Sequence, residues 1–181
     1  MPIKDTPQRY GTITRTIHWT MAALFVWQYA GMISKVTLGK DHGLTKALSA
    51  NHAQIGTILF ILIALRIIWA VMNRDSRPAQ DPGLPGMLAR LGHFALYALM
   101  LLVPSVALIR AWGNQRSFAP FGFEIFPARP ESDVVSWAVE LGGLLHGEAA
   151  WVMGVLVLGH IAMAFWHQFV LRDGLMRRIA H

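Results

Sequence analysis

Long uncharged runs, not period-two alternation, organise this chain. Thr16–Ser34 lies between Arg15 and Lys35, Ala47–Leu65 between Lys46 and Arg66, Leu91–Ile109 between Arg90 and Arg110, and Ala149–Leu171 between Glu148 and Arg172. Each approaches the roughly 20 residues, at about 1.5 Å per residue, that cross a hydrocarbon layer as a helix. The runs are rich in Leu, Ile, Ala, Met and Trp and lack the alternation of barrel strands, and backbone groups in lipid must be satisfied internally. The pattern predicts a single all-α membrane domain over residues 1–181, a four-helix bundle with helices near 13–34, 47–72, 88–111 and 138–171. No small-residue cleavage site follows the first run, so it is expected to remain in the protein.

The connections are polar or turn-rich. Ser76–Gly86 carries Pro78, Pro82, Pro85, Gly83 and Gly86 and reads as a loop. GNQRSFAPFGFEIFPARPESD combines three prolines with four phenylalanines and is expected on the membrane interface or folded over the bundle end. No repeat of solenoid period is present.

Composition agrees with lipid as the main solvent. Hydrophobic residues make up 54% and charged residues only 14%, against about a quarter charged in soluble domains, and the mean hydropathy is +0.41. Disorder is excluded by the same figures. The absence of cysteine removes disulfides, iron–sulfur clusters and covalent haem attachment. The net charge of +6 is carried at the ends of apolar runs, which argues against nucleic acid. Ten Lys and Arg (Lys4, Arg9, Arg15, Arg66, Arg74, Arg77, Arg90, Arg172, Arg177, Arg178) fall on the side of the termini. Six (Lys35, Lys40, Lys46, Arg110, Arg116, Arg129) fall on the other. The positive-inside rule then predicts a multi-pass protein with both termini cytoplasmic.

Histidines supply the chemistry. His42 in a polar loop and His181 at the chain end read as solvated side chains. The other six lie in or beside spans, where ionisable groups are costly and face the bundle interior. His18 opens the first helix at the terminal side; His52 opens the second, antiparallel helix at the opposite side. His146 opens the fourth beside His52, and His160, 14 residues and about 21 Å further, returns to the level of His18. His146, His160 and His167 share one helical face.

Two pairs emerge, His18 with His160 and His52 with His146. Neutral imidazoles from different helices meeting at one level suit axial ligation of a haem iron. Two such levels, an inner iron on His18 and His160 and an outer iron on His52 and His146, form an electron route across the bilayer. With both axial positions filled no open position is left, so the task is electron transfer. Gly56, Gly142, Gly143, Gly147 and Gly159 near these ligands offer space for a macrocycle, although small residues also serve plain helix packing.

His93 has the depth of His18 and His160, with His167 as its remaining partner. A haem-propionate or quinone contact is expected for His93 and His167, with structural hydrogen bonding as the alternative. Arg66 is placed to pair a propionate, or to snorkel to the interface.

The sequence resembles the bacterial cytochrome b561 family, di-haem four-helix membrane cytochromes, over nearly its whole length. The stretches that carry the resemblance are ITRTIHW, NHAQIGTILFILIALR, LGHFALYALMLLVP and LLHGEAAWVMGVLVLGHIAMAFWHQFVLRDGLMRRI. Most specific are the 14-residue histidine interval and the H-x6-H followed by RDGLMRR. The resemblance implies two non-covalent haem b groups on His18, His52, His146 and His160, with the family's third-helix and late fourth-helix histidines falling on His93 and His167. Two departures are Glu148, one residue later than the acid that follows the family's histidine directly, and Ala107 in place of a frequent Gly.

It further implies a respiratory-chain type of oxidoreductase in the inner membrane, passing electrons between a periplasmic donor and ubiquinone. Some members resemble superoxide oxidases, and the cations of the outer connections suit a small anion or, equally, lipid headgroups. Other relatives are cytochrome b subunits linking a dehydrogenase, hydrogenase or soluble cytochrome to the quinone pool. A metal or proton transporter is the alternative from another class. It would call for acidic or thiol partners, and the spans lack Asp, Glu and Cys.

Overall fold

A computed structural model describes residues 2–79 and 82–180. His181 lies outside the described residues, as do Gln80 and Asp81 of the expected loop. Four long helices and two short ones make up the fold: α1 (Thr12–Leu38), α2 (Gly43–Ser49), α3 (His52–Met72), α4 (Gly83–Gly113), α5 (Ser136–Phe165) and α6 (Arg177–Ala180). Trp166–Leu171 continues α5 as a π-helix.

Gly43–Met72, Gly83–Gly113 and Ser136–Leu171 are long and apolar enough to cross a membrane. α1 has the length, at 27 residues, but carries polar side chains toward its neighbours, which lowers its average hydropathy. The bundle's outward surface is apolar: Phe94 is 71%, Val155 69% and Val26 68% exposed. Such residues belong against lipid, and among the described residues Met21, Leu59 and Ile63 form a buried cluster where α1 and α3 meet.

Several helix limits differ from the sequence expectation. α4 starts at Gly83, not 88, because Pro85 falls in the first turn, where its missing N–H leaves no bond unmade. The second run is broken at Ala50 and Asn51, so α2 rests separately on α1, with Gly31 against the backbone of Leu48 and Trp27 Nε1 donating to Leu48 O at 3.1 Å. His42 is not a free loop side chain: its Nδ1 accepts from Leu44 N and caps α2. Pro104 stays inside α4, where Ser105 Oγ donates to Leu101 O one turn back. The aromatic connection does fold over the bundle end. Phe118 pairs with Phe126, and the turn at Pro120–Gly122 packs on α3.

The end carrying the termini is tied by a buried carboxylate. Asp5, 3% exposed, accepts from Gly11 N (2.8 Å), Thr14 Oγ1 (2.7 Å) and Arg77 Nε (3.0 Å). Thr14 Oγ1 in turn accepts from Trp69 Nε1 at 3.0 Å. Arg15 and Trp19 donate to the carbonyls of Ile179 and Ala180, docking α6 on the start of α1.

Candidate haem-binding site

Two interhelical histidine pairs lie at opposite ends of the bundle. α1 pairs with α3, α3 with α4, and α4 closely with α5, whereas α5 approaches α1 and α3 sparsely. Across that interval the ring centres of His18 and His160 stand 6.3 Å apart, and those of His52 and His146 stand 6.0 Å apart. One metal ion bonded to two imidazole nitrogens at about 2 Å each sets the ring centres roughly 6 Å apart. Both pairs match that separation.

The ring of His146 is oriented from behind. Its Nδ1 lies 2.9 Å from Val103 O. A carbonyl only accepts, so Nδ1 carries the proton and Nε2 keeps the lone pair a metal requires. Gln28 Nε2 donates to His52 O at 3.0 Å and anchors the first turn of α3 to α1. His18 is held differently. Its Nδ1 accepts from Arg66 Nη1 at 3.0 Å, while Arg66 Nε donates to Tyr97 OH at 2.9 Å. A neutral ring so bonded carries its proton on Nε2, and iron would take Nε2 only once Arg66 turns to another acceptor, such as a haem carboxylate. Arg66 is thus turned into the bundle beside His18 and does not reach for the interface.

His93 stands beside the inner pair. Its ring centre is 5.3 Å from that of His160, closer than two rings sharing one axial metal, which places it as a neighbour of the inner pair. His167 instead meets Asp173, a partner that sequence spacing did not indicate.

The glycines divide. Gly143, Gly147 and Gly159 have nothing within 4 Å of an added Cβ, as space for a macrocycle beside His146 and His160 requires, and at Gly56 only the Gln28 amide approaches. Gly142 belongs to helix packing instead: a Cβ there would collide with Arg110 and the Val106 carbonyl across the α4–α5 crossing. Gly154, midway between the two levels, packs under Tyr29, whose hydroxyl donates to Ala150 O at 2.8 Å.

Among the described residues no group of three or more His, Cys, Asp or Glu side chains is arranged to hold a metal ion. A metal clasped by two imidazoles alone needs its other ligands from a cofactor, and a porphyrin supplies four in a plane. The donor set and the separations therefore fit haem b.

Comparison with known proteins agrees. The family described as prokaryotic cytochrome b561 matches residues 9–181. A protein of Escherichia coli named cytochrome b561 homolog 2 is 28% identical over 180 residues, which is 99% of this chain and 95% of that protein. A cytochrome b562 of Cereibacter sphaeroides is 25% identical over 184 residues, 94% of each chain.

Proposed function

Given that this chain belongs to the prokaryotic cytochrome b561 family, whose members are membrane haem b electron-transfer proteins, we propose that it is a di-haem quinone oxidoreductase. It moves electrons from a periplasmic donor, with superoxide favoured, to ubiquinone, in the inner membrane with both termini cytoplasmic. The observation that carries this reading is the pair of histidine couples at 6.3 and 6.0 Å, at the two ends of one bundle.

His18 and His160 hold the inner haem, and His52 and His146 the outer one. Held by two imidazoles, haem b would supply one-electron transfer between ferric and ferrous iron. The protein keeps each couple in place. Val103 O holds the His146 ring through Nδ1–H, and Gln28 fixes the start of α3. Arg66 supplies a fixed positive charge beside His18, able to receive a haem carboxylate. His93, beside His160, and His167, near the terminal side, serve a haem propionate or the quinone.

At the opposite end Lys35 lies near His52, and Lys46, Arg110 and Arg116 add to a field that attracts a small anion. Two superoxide ions yielding two O2 supply the two electrons that, with two protons, convert one quinone to quinol.

The test is purification in detergent, a reduced-minus-oxidised spectrum with haem counted per chain, then stopped-flow mixing with superoxide with and without a ubiquinone analogue. Two b-type haems per chain and quinol formed in a ratio of one per two superoxide support the reading. A single haem overturns the di-haem assignment. Haem reduced by other donors but inert to superoxide removes superoxide and leaves a partner protein as donor.

A further inference from the structure

At the cytoplasmic end, the fourth long helix departs from regular geometry. α5 is α-helical to Phe165, widens into a π-helix over Trp166–Leu171, and ends at Arg172 in the left-handed region (φ 52°, ψ 33°). π-turns and non-glycine residues at positive φ both raise the local energy, and they persist where a particular side-chain placement is held. Here the result is that Asp173, six residues on, folds back on His167. Oδ2 accepts from His167 Nδ1 at 2.5 Å, and Oδ1 accepts from Leu175 N at 3.0 Å.

Both carboxylate oxygens are engaged and the ring is fixed in plane. A carboxylate only accepts, so the proton sits on Nδ1, and among the described residues no hydrogen bond engages Nε2. The surroundings are two-sided. Phe165 and Phe169 stack with ring centres 5.9 Å apart on the lipid-facing surface. Beside Asp173, which links it to His167, a polar cleft of about 450 Å3 is lined by Gln168, Arg172, Asp173, Gly174 and Arg177. An amphipathic ligand with a polar ring and an apolar tail matches such a border.

We propose that Asp173 is the positioning residue of a proton-transfer pair, holding His167 so that its Nε2 hydrogen-bonds a quinone carbonyl oxygen and gives it a proton on reduction. This deepens the quinone reading above and rests on it. Reduction of one quinone takes two electrons, from the periplasmic donor, and two protons, and forms two O–H bonds. One proton leaves His167 as the Nε2–H bond breaks; the other comes from solvent water, which also reprotonates Nε2 after quinol departs. The carboxylate stabilises the imidazolium that precedes transfer. The Asp173 carboxyl is held below its ordinary value first by the His167 hydrogen bond and then by Leu175 N–H, with Arg178 adding to the effect. The other charged groups at the cleft are Arg172 and Arg177.

The experiment compares haem-loaded wild type, Asp173→Asn, Asp173→Glu, His167→Gln and the double variant Asp173→Asn with His167→Gln. Readouts are the haem spectrum, quinone retained by the purified protein, and kcat and KM for a ubiquinone analogue between pH 5.5 and 9. Asparagine keeps an acceptor for Nδ1–H but removes the charge. Asp173→Asn is therefore expected to lower kcat about tenfold with KM and retained quinone within twofold. The alkaline limb of its pH profile should move about one unit down, and Asp173→Glu should restore most of the rate.

His167→Gln should lose at least as much, and the double variant no more than His167→Gln. A wild-type pH profile in Asp173→Asn, or additive losses in the double variant, overturns the proposal while leaving quinone as substrate. Wild-type haem that ubiquinone does not reoxidise overturns the quinone reading itself. Should Asp173→Asn not fold, the shift and rescue in Asp173→Glu, measured against His167→Gln, decide the matter.

Discussion

The Tyr29 ring lies against Gly154, where a Cβ would come within 2.8 Å of Cε1 and 3.3 Å of Cζ. The same tyrosine donates to Ala150 O, so one residue of α1 sets its distance from α5 at the midpoint between the two histidine levels. Substitution Gly154→Ala puts a methyl against a rigid ring and should push α1 away from α5. About 1–3 kcal/mol of destabilisation is expected, read as a lower thermal midpoint. Haem should be lost from both levels together, and Tyr29→Leu in the same chain should recover part of it.

The histidine couples predict a pattern of cofactor loss. His52→Ala and His146→Ala should each leave about one haem per chain, of one spectral type, and His18→Ala and His160→Ala should leave the other type. His93→Ala should keep two. Haem per chain by the pyridine haemochrome method checks this, and loss of the same haem from all four variants would refute the pairing.

Asp5 is expected to matter for folding and not for redox chemistry. Its carboxylate is wholly inaccessible and pairs with an Arg77 that is 21% exposed, so Asp5→Ala strands the guanidinium, Thr14 Oγ1 and Gly11 N–H together. Breaking such a pair costs about 3 kcal/mol. The thermal midpoint should fall by several degrees with the haem spectrum unchanged.

The turn after α5 should resist acid. The Asp173 carboxyl lies below its ordinary value of 3.8, chiefly through the His167 hydrogen bond. A depressed carboxyl value contributes stability that is fully present above the ordinary value and lost as pH falls through the lowered one. Hydrogen-exchange protection of the Leu175 amide, which donates to Asp173 Oδ1, should therefore persist at pH 5 and vanish only below about pH 4. In Asp173→Asn that acid transition should be absent.

The pairing of the histidines was legible because helix geometry is rigid. With a fixed rise per residue, positions 18, 52, 146 and 160 on antiparallel spans yield two levels without knowledge of any contact, and the observed ring separations are those of partners. The placement of His93 was not legible. Depth alone allowed His167 as its partner, but lateral position depends on how α4 crosses α5, and that crossing is set by Gly113 against Ala138 and Gly142 against Arg110. Gly142 was read with the ligand-side glycines for the same reason: a glycine in one sequence does not say which helix approaches it.

The His167–Asp173 pair lay further from view. On an ideal α-helix residues six apart point about 120° away from each other. Only the π-turn and the left-handed Arg172 bring them together, and nothing in the local hydropathy marks either.

By itself, then, the sequence determined the solvent, the number of long helices and the depth of each imidazole, because these follow from length, charge placement and a constant helical pitch. Which side chains meet at each depth was decided by tertiary structure. Close approach of helices depends on small residues from two segments at once, and the end of α5 depends on backbone geometry that a carboxylate and an imidazole stabilise only after they have come together.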